Sequence, residues 1–311
     1  MPDRARHAAI VLALNDRFVP PGQVTIESIR QHGGPLDDVA LVVITAGLSA
    51  ASIDALDTSA AAAGLPLLIR TVHDTSALGA IPDWAQSTCL RLYTGDLCQD
   101  FARALYLDSD MIVLSPLAPL LDADLGGRTA AAVVNYPPLD VIRVAIPRSR
   151  RGEVDGDAPY FNAGVFLIDT ARWASRAIGE RSRAFLRQHP TTRLLDQDAW
   201  NVVLVDDWRA LDKEWNAPAG PLNTAPMLGG LGQLNAGMGD TMREWEAAQA
   251  RPKILHFTGH PKPWEAAYPW ADLQQQFTAL MRPEFGSTWP SAQHAVTEVN
   301  GQTRARDFKR V

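Results

Sequence analysis

The chain has 311 residues, 46% hydrophobic and 21% charged, which suits one large globular domain or one domain with a tail. Its formal net charge of −6 argues against a dedicated nucleic-acid binder, which would carry a basic surface. No apolar run is long enough to span a bilayer, and the amino terminus MPDRARHAAI lacks a signal-peptide core, so a cytoplasmic location is expected, with peripheral contact at the inner face of the membrane left open.

In chain order, residues 8–14 (AAIVLAL) read as a strand and 23–31 as a helix. Residues 39–45 (VALVVIT) form a second strand. Ser49 precedes an alanine-rich helix that ends near Gly64, and 67–72 is a third strand. A longer helix is predicted over 84–97. It carries Cys89 and Cys98 nearby, which form no C-x-x-C pair and read as reduced thiols. Strands separated by helices imply a mostly parallel sheet covered on both faces. In such sheets ligands gather beyond the carboxyl ends of the strands.

Next comes ALYLDSDMIVLSPL, residues 104–117, the most informative stretch. Residues 104–107 read as a buried strand, and 111–114 are apolar again. Strand side chains alternate faces, so Asp108 and Asp110 can present carboxylates to one point. Two ionised carboxylates in an apolar setting repel each other and lose hydration, and a divalent cation relieves both costs. Oxygen donors suit magnesium or manganese better than zinc or copper. Two aspartates in a surface turn would show the same letters, but the apolar flanks favour the metal.

The second half is less regular. Residues 129–135 are a predicted strand, and 137–157 a proline- and charge-containing loop with a basic cluster at Arg148, Arg150 and Arg151. Residues 161–169 (FNAGVFLID) form another strand, and Thr170 is the expected cap of the helix behind it. Residues 196–205 read as a helix opening with DQD, where Asp196 by default is an N-cap and Gln197 sits in the first turn. Residues 217–238, rich in Gly, Pro and Asn, read as a long loop. Residues 253–257 form the last strand. Beyond residue 282 the chain turns polar, giving one domain over 1–282 and a tail over 283–311, either disordered or lying on a membrane surface.

Four further features bear on chemistry. His256 ends an apolar strand and opens an H-x-x-G-x-x-K spacing with Gly259 and Lys262. An imidazole there can complete a metal shell begun by Asp108 and Asp110. Glycine lets the backbone approach a phosphate, and Lys262 supplies a point charge. A buried structural histidine and a surface lysine are the bland alternative. Asn162 of FNAG is a polar amide in an apolar strand and must find partners, whether a sugar hydroxyl or the backbone. Gln197 either sits idle in its helical turn or aims an amide oxygen at an electron-poor sugar carbon. Arg91 is a cation on a largely uncharged helix, available to a diphosphate, to an Asp of the site, or to solvent.

Taken in order, the pieces IVLALNDRF, VTIESI, STCLRLYTGDL, ALYLDSDMIVLSPL, FNAGVFLIDT, LLDQDAWN, the WNA at Trp215 and ILHFTGHPKPW resemble glycosyltransferase family 8. That family includes bacterial lipopolysaccharide galactosyl- and glucosyltransferases and the glycogenins. The resemblance covers about residues 10–270. It implies a GT-A fold, an α/β architecture with a mostly parallel central sheet flanked by helices, in which a Rossmann-like nucleotide-binding half joins an acceptor half. It also implies a retaining hexosyltransferase that uses a UDP-sugar (UDP-glucose or UDP-galactose) and Mn2+ or Mg2+, with a glycan or other hydroxyl as acceptor.

Carried over by motif, Asp108, Asp110 and His256 resemble the family's metal ligands, and Gly259 and Lys262 its diphosphate contacts. Ala13 and Asn15 fall where the family holds uracil and ribose, and Ser109 falls near the ribose. Arg91, Asn162, Ala163, Asp196 and Gln197 fall where it holds the donor sugar, with Gln197 nearest the reacting carbon and Asp196 beside it as the second catalytic position. The chain departs from the family at ALNDRF, where Asn15 replaces a common Asp and Arg17 a common Asn. Asn135 stands where some members have an acidic sugar contact. These changes bear on the donor and leave the metal set intact.

Two other classes compete. A haloacid-dehalogenase-like phosphatase also places D-x-D after an apolar strand, but at the first strand of its core, whereas Asp108 follows three strand and helix units. A non-catalytic sugar-nucleotide binder is the other, and the presence of Asp108, Asp110, His256 and Lys262 together argues against a decayed site.

Overall fold

A computed structural model describes residues 7–81, 83–136, 158–220, 222, 239–259 and 261–282. The basic cluster within 137–157, most of the loop over 217–238 and the tail over 283–311 lie outside the described residues.

A seven-stranded sheet forms the centre, in the order β3-β2-β1-β4-β7-β6-β8. Its strands are β1 (Ala8–Ala13), β2 (Val39–Thr45), β3 (Leu67–Thr71), β4 (Arg103–Leu107), β6 (Ala130–Val134), β7 (Phe161–Asp169) and β8 (Trp208–Ala210). A small sheet, β5-β10-β9, joins β5 (Met111–Val113), β9 (Ala217–Pro218) and β10 (Ile254–His256). β1 to β4 run parallel, and β7 runs against both β4 and β6. The unbroken apolar runs of β1 and β2 have a direct cause. Ala8, Ile10 and Leu12 bury in one core, while Ala9 and Val11 bury in a second on the other face. A third cluster, with Val24, Ile112, Leu255, Phe257 and Phe277, seats the small sheet.

Helices flank the sheet as expected, with local corrections. The helix predicted over 23–31 spans Val19–His32, because prolines at its first turn, where no N–H is needed, open the helix rather than exclude it. The helix predicted over 84–97 is broken. It runs Asp83–Cys89, tightens into a 3-10 segment Leu90–Tyr93, and resumes as Thr94–Leu97. The tighter winding turns Arg91 inward, where its Nε meets the Thr88 carbonyl at 3.1 Å. Thr170 is not the cap of the helix behind β7. Asp169 is, accepting from the Arg172 N–H at 2.9 Å, while the Thr170 hydroxyl donates to the Phe101 carbonyl. Cys89 and Cys98 are free and buried. Among the described residues, no helix is long and apolar enough to cross a membrane.

Two elements fix where chemistry can occur. The chain leaves β4 at Leu107, turns through Asp108, Ser109 and Asp110, and enters β5. Thr25, buried on the helix Val19–His32, donates to the Ser109 and Met111 carbonyls, both at 3.0 Å. Ser28 on the same helix accepts from the Val113 N–H at 2.9 Å. The VTIES piece therefore clamps the DSD turn. The register of β10 on β5 then sets His256 opposite Met111, beside Asp110.

Candidate active site and metal centre

Asp108 and Asp110 lie in the turn between two strands rather than on one strand. The turn, not strand alternation, brings their carboxylates together. One oxygen of each is held from behind. Asp108 Oδ1 accepts from Tyr106 Oη at 2.8 Å and from the Arg91 guanidinium at 2.9 Å. Asp110 Oδ2 meets Lys262 Nζ at 2.5 Å, and Lys262 also donates to the Phe257 carbonyl at 2.8 Å. The other oxygens face the imidazole: His256 Nε2 lies 3.5 Å from Asp108 Oδ2 and 3.4 Å from Asp110 Oδ1. The three ligand atoms lie within 4.8 Å of one another. Burial alone would raise the Asp110 carboxyl, but Lys262, joined by His256 when the imidazole carries both protons, outweighs it and holds it well below the usual carboxylate range. Two ionised oxygens and a ring nitrogen converging on one point fit a hard or borderline divalent cation.

Gly164 makes this convergence sterically feasible. A Cβ there would stand 2.4 Å from His256 Cε1, 2.8 Å from Met111 Cε and 2.9 Å from Asp108 Oδ2. Its carbonyl also accepts from the Asp108 N–H at 2.9 Å. The sequence marked FNAG for its asparagine, and the contact that demands glycine spans more than ninety residues from Gly164 to His256. Gly164→Ala is expected to push the ring off its line. It should cost about 1–3 kcal/mol of stability and lower Mn2+ affinity, measured by thermal melting and metal titration. Wild-type affinity in that variant would show that the close approach is not needed.

Arg91 is buried between two carboxylates. Besides Asp108 it meets Asp196 Oδ2 through Nε at 2.9 Å, and its guanidinium lies 4.9 Å from the centre of the Tyr106 ring. It is not a solvated arginine. Burial would lower its pKa, but Asp108 and Asp196 reverse that and raise it. Asp196 is likewise not the N-cap of its helix, Asp196–Val203. Leu195 occupies that position, at the positive φ of 46°, and Asp196 turns into the protein towards Arg91. Burial lifts its carboxyl, Arg91 opposes this in part, and the result is about 6. Gln197 Oε1 accepts from the Ala163 N–H at 2.9 Å, which holds the amide at the head of the helix.

One cleft is lined by Arg91, Asp108, Asp110, Asn162, Asp196, Gln197, His256, Gly259 and Lys262, together with Thr88, Leu194 and Thr258. The last three were not singled out in the sequence. Gly259 adopts φ +80°, the left-handed turn that glycine makes at no steric cost, between the strand carrying His256 and Lys262. Four other candidates stand outside this lining. Ala13 ends β1, opposite Ile44 of β2. Asn15 caps a short turn, accepting from the Arg17 and Phe18 N–H groups. Ser109 gives its carbonyl to Thr25, and Ala163 is fully buried. Asn216, which ties to His256 Nδ1 at 2.8 Å, was quoted in WNA without a role.

The architecture and the site have known counterparts. General stress protein A of Bacillus subtilis is 28% identical over 239 residues, covering 74% of this chain and 77% of that protein. The lipopolysaccharide 1,3-galactosyltransferase of Salmonella typhimurium is 28% identical over 206 residues, covering 63% of this chain and 56% of that one, so the chain spans little more than half of some of its relatives. The crystal structure of the galactosyltransferase LgtC in complex with donor and acceptor sugar analogs superposes with a TM-score of 0.67 at 23% identity, covering 88% of this chain and 95% of that chain, and shares its GT-A fold. The family model described as Glycosyl transferase family 8 matches residues 9–267. This match displaces the phosphatase reading of the D-x-D pair, and the chain belongs to glycosyl transferase family 8.

Proposed function

We propose that this glycosyltransferase is a retaining hexosyltransferase that moves glucose or galactose from a UDP-sugar to a hydroxyl of a glycan or other acceptor, with Mn2+ or Mg2+ as its cofactor. The observation that carries the reading is the convergence of Asp108, Asp110 and His256 in one cleft with Lys262 and Gly259. LgtC, a structural neighbour, was crystallised with donor and acceptor sugar analogs. A nucleotide-sugar substrate also suits the cytoplasmic location proposed here. The proposed catalytic domain, residues 1–282, ends at Arg282, which clamps Glu27 at 2.7 Å.

Asp108 Oδ2, Asp110 Oδ1 and His256 Nε2 would hold the cation, which when bound offsets charge growing on the UDP leaving group. Lys262 sits close enough to Asp110 to serve the same diphosphate as a second, mobile charge. The bond from the sugar's C1 to the UDP oxygen breaks, the acceptor oxygen bonds C1 on the same face, and a diphosphate oxygen takes the acceptor's proton. No strong protein base is needed. Asp196 holds sugar hydroxyls from its anchorage on Arg91. Gln197 stabilises the electron-poor carbon electrostatically. Its amide oxygen already accepts from the Ala163 N–H, which drains its weak nucleophilicity further and disfavours a covalent intermediate.

A panel of UDP-sugars tests the reading. With Mn2+, slow hydrolysis should release UDP from one hexose donor, with the α-anomer retained, and a chelator should stop it. Release of inorganic phosphate from phosphate esters would favour a phosphatase. Tight binding of UDP-sugars with no UDP release, even with acceptor glycans, would leave a non-catalytic binder.

A further inference from the structure

The imidazole that faces the two aspartates is tied at its far nitrogen into a run of three asparagine side chains. Asn216 Oδ1 lies 2.8 Å from His256 Nδ1, Asn216 Nδ2 lies 2.9 Å from Asn162 Oδ1, and Asn162 Nδ2 lies 3.3 Å from Asn135 Oδ1. The far ends of this run sit on separate strands of the central sheet or just beyond them, while His256 and Asn216 belong to the small sheet and its approach. The run therefore stitches the two sheets together behind the cleft.

Its polarity follows from one unambiguous group. The Gly164 backbone N–H donates to the Asn162 side chain at 2.9 Å, so the Asn162 atom it meets must be the amide oxygen. That same oxygen faces Asn216, so the Asn216 atom there must be the NH2. The opposite atom of Asn216 is then its oxygen, and it faces His256 Nδ1. An oxygen acceptor at 2.8 Å requires the proton on Nδ1. In the neutral ring Nε2 is then bare, with its lone pair directed between Asp108 Oδ2 and Asp110 Oδ1. His256 and Asn216 are both buried, 3% and 5% exposed, so water does not compete for these bonds.

We propose that Asn216 is a positioning residue that fixes the Nδ1–H tautomer and the ring plane of His256, and that Asn162, anchored by the Gly164 N–H, fixes the amide of Asn216 in turn. An imidazole free to flip or to hold its proton on Nε2 would present a hydrogen to the cleft instead of an electron pair. This inference rests on the metal reading above, but the tautomer itself does not depend on a bound ion.

The test separates the two. In metal-free protein labelled with 15N-histidine, long-range 1H–15N spectra of the neutral ring report which nitrogen is protonated, with His256 assigned by its loss in His256→Ala. The wild type should show Nδ1–H and a bare Nε2. Asn216→Leu removes the acceptor and should lose this signature, with Mn2+ affinity reduced about 10- to 100-fold. Asn216→Asp retains the acceptor facing Nδ1 but loses the NH2 that meets Asn162 Oδ1, so it should keep the Nδ1–H tautomer while losing less Mn2+ affinity than Asn216→Leu. An Nε2–H tautomer in the wild type, or unchanged Mn2+ affinity in a folded Asn216→Leu, would overturn the proposal. Should Asn216→Leu fail to fold, the wild-type spectrum and Asn216→Asp still decide. Asp110→Ala is the control for the metal reading: if the wild type itself takes up no Mn2+ while showing Nδ1–H, the metal reading falls and the tautomer assignment stands.

Discussion

Asp110→Ala should abolish Mn2+ uptake and lower UDP-sugar turnover by about 10³-fold, while the protein keeps its fold. Each neighbour of Asp110 keeps another partner after the change. Lys262 loses its carboxylate but keeps the Phe257 carbonyl at 2.8 Å. His256 keeps Asn216 at Nδ1 and Asp108 Oδ2 at 3.5 Å. Asp108 keeps Arg91 and Tyr106. Lys262 is left with a carbonyl in place of a counter-charge, which costs some stability, but the crowding of two carboxylates is relieved, so the net loss is smaller than the usual cost of breaking a buried ion pair. The cation proposed here, in contrast, loses one of three candidate ligands and one of two carboxylate charges. Isothermal titration with Mn2+, UDP release and a thermal melt on the same preparation check the three statements. Turnover near the wild-type rate would remove Asp110 from the chemistry, and Asp110→Asn, which keeps the volume, guards against a packing explanation.

How far the sequence reached depends on the range of the interactions involved. β2 and β7 carry their bounds in the sequence, at Val39–Thr45 and Phe161–Asp169, because a run buried on both faces must be apolar throughout. The broken helix around Arg91 was not legible. Its letters suit a continuous helix, and the break answers to Asp108 and Asp196, which lie 17 and 105 positions away. The cap at Asp169 was misplaced by one residue because both Asp and Thr are good caps, and only the sheet decides which of them points at the helix. β8 is a three-residue strand with two exposed positions and leaves no alternation to read. The grouping of Asp108, Asp110 and His256 was legible through its residue types and order. The support beneath it was not. Nothing local to WNA points forty residues ahead to His256, and nothing in FNAG says that its glycine will have an imidazole carbon at its α-hydrogen. Ligands are chosen for chemistry and stand out as polar letters in apolar runs, whereas the residues that aim them are chosen for shape and appear only once the sheets are assembled.

The largest loss of stability is expected from Arg91→Met. The guanidinium is the shared counter-charge of Asp108 and Asp196, and methionine fills most of its volume without replacing its charge. Removing it leaves Asp108 with Tyr106 and His256, and Asp196 with the Cys89 thiol, and neither with the guanidinium. That should cost about 3–5 kcal/mol near neutral pH, read from denaturant unfolding. The pH dependence identifies the cause. Asp196 titrates at about 6 in the folded protein, above its usual range, so between roughly pH 4 and 6 the native state binds more protons than the unfolded chain. Stability therefore falls as pH rises through that window, and the cost of ionising Asp196 is fully present above it. Without Arg91 the folded-state titration moves to still higher pH, so the variant should be closest to wild type in mild acid and furthest from it in mild alkali. Arg91→Met combined with Asp196→Asn deletes one stranded charge and should recover part of the loss, most of it at alkaline pH. A deficit that is the same at all pH values, and that the second substitution does not relieve, would assign Arg91 to packing alone and dissolve the electrostatic link between Asp108 and Asp196.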